Sequence, residues 1–148
     1  GAGNFINPAE PAGQVCCLNL NSWELKWTFE TPGTVLGAVA ISDEELIFAC
    51  WDGGVYVLDL DGNLLRSRLT HAPIVGSPAV TPEHIYVVNQ DGMLVALQRR
   101  TMDAAWEFRI GDRGRFLSSP VVSHGSVYVG TEQHGFVRVG RPASHCQT

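Results

Sequence analysis

Four cysteines and five histidines are the side chains of this chain most able to do chemistry, and their spacing limits what that chemistry is. Cys16 and Cys17 are adjacent, and with Cys50 and Cys146 they lack the C-x-x-C pairing that favours tetrahedral zinc. The adjacent pair lies inside Gln14-Val15-Cys16-Cys17-Leu18-Asn19-Leu20, which reads as a strand that sends consecutive side chains to opposite faces. One small buried thiol and its neighbour are therefore expected, and Cys50, at the end of Leu46-Ile47-Phe48-Ala49, is expected to be a buried structural thiol. His71, His84, His124, His134 and His145 occur singly, with no i,i+4 pair and no Gly-x-Ser-x-Gly nucleophile elbow beside them. His124 and His134 flank one apolar run and can approach each other in space; His134 is kept as a candidate for a ligand or partner surface. Asp59-x-Asp61-Gly62 begins like a calcium loop, but no suitably spaced glutamate follows, so a turn is expected. Asp43-Glu44-Glu45 likewise reads as a solvated turn. These residues supply no catalytic constellation and no metal set. Trp51, beside a turn, is the one aromatic expected to line a groove or cover its own hairpin, and it is the second candidate for a ligand or partner surface.

Composition narrows the setting in which these residues act. The chain has 148 residues, 45% hydrophobic and 17% charged, enough to bury a core. Ten basic against fifteen acidic residues leave a formal charge of −5, which argues against nucleic acid or an anionic membrane as the main partner. No apolar run is long enough to span a bilayer. The opening Gly-Ala-Gly-Asn has neither the basic cluster nor the apolar core of a signal peptide. No glycine-rich loop precedes a helix pattern, so no phosphate cradle is expected.

A repeat organises the chain. Leu36-Gly37-Ala38-Val39-Ala40-Ile41-Ser42 recurs as Val75-Gly76-Ser77-Pro78-Ala79-Val80-Thr81 and as Leu117-Ser118-Ser119-Pro120-Val121-Val122-Ser123, at offsets of 39 and 42 residues. Each copy leads into a β-rich run (Glu45–Cys50, His84–Asn89, Ser126–Thr131), a turn at Asp52-Gly53, Asp91-Gly92 or His134-Gly135, and a further run. A fourth strand is expected at 24–29, 63–69 and 104–110, carrying Trp27 and Trp106 in the first and last; the middle copy has no tryptophan and is about one residue shorter.

Four short antiparallel strands per forty residues is the arithmetic of a β-propeller blade. The expected fold is all-β, about three and a half blades: a partial blade at 1–32, blades at 33–72 and 73–114, and a partial blade at 115–148. The stretch from Asn4 to Gly13, with two prolines, reads as an extended loop or a terminus completing another blade. Because propellers close with four to eight blades, the expectation is a piece of a larger ring, a ring closed by a second copy of the chain, or a small ring.

Ala96-Leu97-Gln98-Arg99-Arg100-Thr101-Met102-Asp103-Ala104-Ala105-Trp106 resembles the signature A-x-D-x-x-T-G-x-x-x-W of the PQQ (pyrroloquinoline-quinone) type propeller repeat, with alanine, threonine and tryptophan in place. Cys17 to Trp27 is similar, with Asn19 and Ser22 as near substitutes and Trp23 at the glycine position. The Ser-Pro-x-Val pieces and Asp-Gly turns extend the resemblance over nearly the whole chain. Trp51-Asp52 also matches the dipeptide of WD40 repeats, but it occurs once, after a second strand, without the upstream Gly-His.

The PQQ-type resemblance implies that Trp27 and Trp106 dock one blade on the next. It implies a non-catalytic binding or scaffold module that presents loops to a protein or a small ligand, with a protein or a second copy of the chain as partner and an extracytoplasmic, periplasmic home. Its alternative is a piece of a PQQ-dependent quinoprotein dehydrogenase, needing PQQ and Ca2+, or an accessory propeller of a larger enzyme. In that alternative Cys16-Cys17 corresponds to a vicinal disulfide over the quinone.

Overall fold

The computed structural model describes residues 2–3, 13–112, 114, 116–132 and 134–140. The remainder of the Asn4–Gly13 stretch, Gln133, His145 and Cys146 lie outside the described residues. All named elements are strands: β1 (Ala2–Gly3), β2 (Gly13–Leu18), β3 (Leu25–Thr31), β4 (Ala40–Ser42), β5 (Glu45–Ala49), β6 (Gly54–Asp59) and β7 (Leu64–Leu69). They continue with β8 (Ala79–Val80), β9 (His84–Val88), β10 (Met93–Gln98), β11 (Ala104–Arg109), β12 (Val121–Ser123), β13 (Ser126–Thr131) and β14 (Gly135–Gly140). They form four antiparallel meanders in chain order: β1-β2-β3, β4-β5-β6-β7, β8-β9-β10-β11 and β12-β13-β14. Two four-stranded blades are thus flanked by two three-stranded ones, and the fold is a partial β-propeller.

Side-chain alternation explains why these sheets stack. In β5, Leu46 and Phe48 enter a core with Val15, Phe29 and Trp27 of the first blade, while Ile47 and Ala49 enter a core with Ile85 and Val87 of the third. Both faces of the strand are buried, so the burial pattern is continuous although the pleat has period two. A third core joins Val88 and Leu94 to Phe116, Val127 and Val129 of the last blade. Each boundary therefore has its own apolar filling, as expected of blades that cannot stand alone.

The innermost strands are shorter than the repeat implied: β4, β8 and β12 hold only three, two and three residues. The segments before them are tied to the neighbouring blade as well as to their own. The backbone N–H of Ala38 donates to Ser77 Oγ at 2.7 Å, and the N–H of Ser77 donates to Ser119 Oγ at 2.8 Å. Those bonds span 39 and 42 residues, the two repeat offsets, so the serine of the Ser-Pro motif is the inter-blade acceptor. Close backbone approach goes with it, since a Cβ on Gly76 would sit 2.6 Å from Ser118 O.

The turns before the outer strands explain the signature. Asn19 Oδ1 accepts the N–H groups of Asn21 and Ser22, and Asp59 Oδ1 accepts those of Asp61 and Asn63, an Asx cap that needs a short polar side chain. These hydrogen bonds, those of Asn63 first, hold the Asp59 carboxyl below its ordinary range. The signature glycine position has positive φ in all three turns: 58° at Trp23, 85° at Gly62 and 64° at Met102. The middle turn is one residue tighter, Asp59 N bonding Asn63 O where Gln98 N bonds Asp103 O.

Candidate functional site

The outer strands of the first three blades each carry one equivalent position, which faces the next blade at Trp27 and Arg66 but, contrary to expectation, not at Trp106. Trp27 on β3 pairs with Cys17, Arg66 on β7 with Val57, and Trp106 on β11 with Ala96, each just before a register shift. Trp27 lies over Gly62 of the second blade and donates from Nε1 to Leu60 O at 2.9 Å; a Cβ on Gly62 would stand 2.5 Å from the indole. Trp106 is 36% exposed and leans on Tyr86 of its own blade, ring centroids 5.8 Å apart.

Arg66 stands where the neighbouring repeats carry tryptophan. Its Nη2 donates to Glu45 Oε1 at 2.5 Å, and Glu45 Oε2 accepts Arg99 Nε at 3.0 Å from the third blade. Arg99 is buried and also reaches Asp43 at 2.8 Å, Ser42 Oγ at 3.0 Å and Ser42 O at 2.6 Å. Burial raises the Glu45 pKa, but the hydrogen bonds and charges of Arg66 and Arg99 outweigh it and hold the carboxyl below its ordinary value. Glu45 is therefore a bridge between two blades, which corrects its reading as a solvated turn residue. The missing tryptophan of the middle copy was the signal that could have found this cluster.

On the opposite ends of the blades are the β5–β6, β9–β10 and β13–β14 hairpins. Gln90 clamps the last blade there, donating from Nε2 to Phe116 O at 2.6 Å and accepting the Phe116 N–H at 3.3 Å. Trp51 takes the corresponding place one blade earlier, 44% exposed, with its backbone N–H on Thr34 O. Next to it, Asp52 accepts the Tyr56 hydroxyl and the Gly54 N–H. Burial, the leading cause, pushes the neighbouring Cys50 thiol up to about 11 and raises the Tyr56 pKa well above its usual value. Cys50 is fully buried, a structural thiol.

His134 is exposed at the β13–β14 turn, its backbone N–H on Thr131 Oγ1. His124 lies in the β12–β13 turn at the other end of β13, so the six-residue strand keeps the two apart, contrary to the expected approach. Cys16 and Cys17 are free thiols within β2, Cys16 exposed and Cys17 half-buried. Among the described residues no group of three His, Cys, Asp or Glu side chains is placed to hold a metal ion.

The family model described as outer membrane protein assembly factor BamB matches residues 2–144. The chain belongs to this PQQ-type propeller family. BamB from Moraxella catarrhalis superposes with a TM-score of 0.70 at 15% identity, over 89% of this chain and 40% of that one. Quinohemoprotein alcohol dehydrogenase from Comamonas testosteroni superposes with a TM-score of 0.59 at 19% identity, over 73% of this chain and 18% of that one. The chain thus spans well under half the length of either structure, and likeness at these identities shows the fold alone. No curated protein matches it significantly.

Proposed function

We propose that this PQQ-type propeller segment is a non-catalytic protein-binding scaffold whose contact face is formed by the hairpins around Trp51. The observation that carries this reading is the replacement of a clamp by an exposed indole. Gln90 spends its side chain holding the next blade, whereas Trp51 leaves a large amphipathic ring 44% exposed on the same kind of hairpin. Trp is enriched among residues that dominate protein interfaces, and a rigid blade holds it in place at low entropic cost. The family description, an outer membrane protein assembly factor, supports a protein partner and an extracytoplasmic, periplasmic setting. No helix among the described residues is long and apolar enough to cross a membrane.

A photoreactive phenylalanine analogue at position 51, introduced in the source cell, tests the reading. The expected result is a discrete adduct with one protein that is not formed from the same probe at Leu60, in the turn at the opposite ends of the strands. Equal labelling from both positions would count against it.

The quinoprotein relative supplies a second reading, in which the chain is part of a PQQ- and Ca2+-dependent dehydrogenase. Saturable quenching of tryptophan fluorescence by PQQ with Ca2+, accompanied by dye reduction, would replace the scaffold reading with this one.

A further inference from the structure

We propose that the cleft between the second and third blades, where Arg66 replaces the docking tryptophan, binds a small oxyanion group, a carboxylate or a phosphate. The cleft holds about 330 Å³ and is lined by Asp43, Glu45, Arg66, Pro82, Arg99 and Arg100. At the preceding boundary the same strand position is filled by the Trp27 ring lying on Gly62. A guanidinium is smaller than an indole and must keep its donors satisfied, so the substitution leaves space and polarity together.

The accounting of donors and acceptors decides the charge of the occupant. Both carboxylate oxygens of Glu45 are engaged, one by Arg66 and one by Arg99. Asp43 is engaged by Arg99, whose remaining bonds go to Ser42. The two acids and the two bridging arginines therefore balance. Left over are more donors than acceptors: Arg66 Nε is buried with no hydrogen-bond partner, Arg66 Nη1 has none, and Arg100 is exposed without an ion pair among the described residues, whereas Asp43 Oδ1, on a side chain turned mostly to solvent, is the one free carboxylate oxygen. Glu83, on the adjoining rim with Arg100, forms no salt bridge with it. An unpartnered buried N–H is costly, and guanidinium groups pair best with planar or tetrahedral oxyanions. Arg66 and Arg100 are the assigned ligands; Arg99 and Glu45 position Arg66.

The test uses the 148-residue chain with inorganic phosphate and, separately, succinate as probes, at constant ionic strength set with sodium chloride. The arginine Nε–Hε resonances are followed by NMR. The expected result is a saturable shift of the Arg66 resonance, weakened about tenfold in Arg100→Gln, which removes only an exposed group and keeps the fold. In Arg66→Gln the Arg100 resonance should lose its saturable response. Saturation by both probes assigns a carboxylate-or-phosphate site, and by phosphate alone a phosphate site. A response that is linear in concentration, or identical in wild type and Arg100→Gln, would mean diffuse screening and overturn the proposal.

Discussion

Buried and exposed cysteines of the same chain differ through environment alone. Cys50 is fully buried and its thiol is pushed up to about 11, so at neutral pH it is both protonated and shielded. Peptide-resolved alkylation of the native chain is expected to label Cys16 first and to leave Cys50 unlabelled until denaturant is added. Equal labelling of the two would contradict the burial. At Trp27 a single N–H to Leu60 O crosses the blade boundary. Trp27→Phe should cost about 1 kcal/mol for that bond, and Trp27→Ala about 2–4 kcal/mol as packing is lost too, measured by urea unfolding. Trp106, 36% exposed and resting on its own blade, should show a smaller loss on Trp106→Ala, about 1–2 kcal/mol. Trp23 holds φ 58° while 73% exposed, in a position that glycine adopts without strain. Trp23→Gly is therefore expected to stabilise the chain by about 0.5–1 kcal/mol, and a lower unfolding midpoint would refute the strain.

Within the blades, the repeat determines which hydrogen bonds recur and where they fail. The Ser77 and Ser119 hydroxyls each accept a backbone N–H from the preceding blade. Ser77→Ala and Ser119→Ala should each lower the unfolding free energy by about 0.5–1 kcal/mol, because an inter-blade acceptor is exchanged for water at an exposed backbone donor. Loss from Ser77→Ala alone would mean that the second bond contributes nothing. Strand positions were legible because alternation, branching and Asp-Gly turns all mark β5, β6, β9 and β10. The shortness of β4, β8 and β12 was not legible, since Gly-Ala-Val-Ala and Ser-Pro-x-Val segments look the same whether their backbone bonds their own sheet or the next blade.

Across the whole molecule, the two kinds of blade boundary respond differently to pH. Glu45 bridges the second and third blades with its pKa held below the ordinary value. For a carboxylate lowered in the folded state, the bridge contributes above the unfolded pKa of about 4.3 and is lost as pH falls through the folded value. Glu45→Gln should cost about 1–3 kcal/mol at pH 7, and its difference from wild type should shrink as pH falls from about 5 towards 2.5. A pH-independent difference in urea midpoint would show that the bridge is steric in effect. The boundary carrying Trp27 has no ion pair among the described residues, so its acid dependence comes from the Asp59 turn cap beneath the indole and not from a bridge between blades.

The sequence by itself determined the blade architecture, the turn positions and the strand position that Trp27, Arg66 and Trp106 share, because each blade repeats the same local chemistry at a nearly constant spacing. It also placed Cys50 inside and Trp51 beside a turn. Only the tertiary structure decided what fills each boundary: Trp27 on Gly62 in one case, Arg66, Glu45 and Arg99 in the next. Glu45 and Arg99 are 54 residues apart, and their pairing follows from how two blades lie against each other. Local patterns carry information about a strand and its turn, whereas a charge's partner is chosen by packing between units distant in the chain.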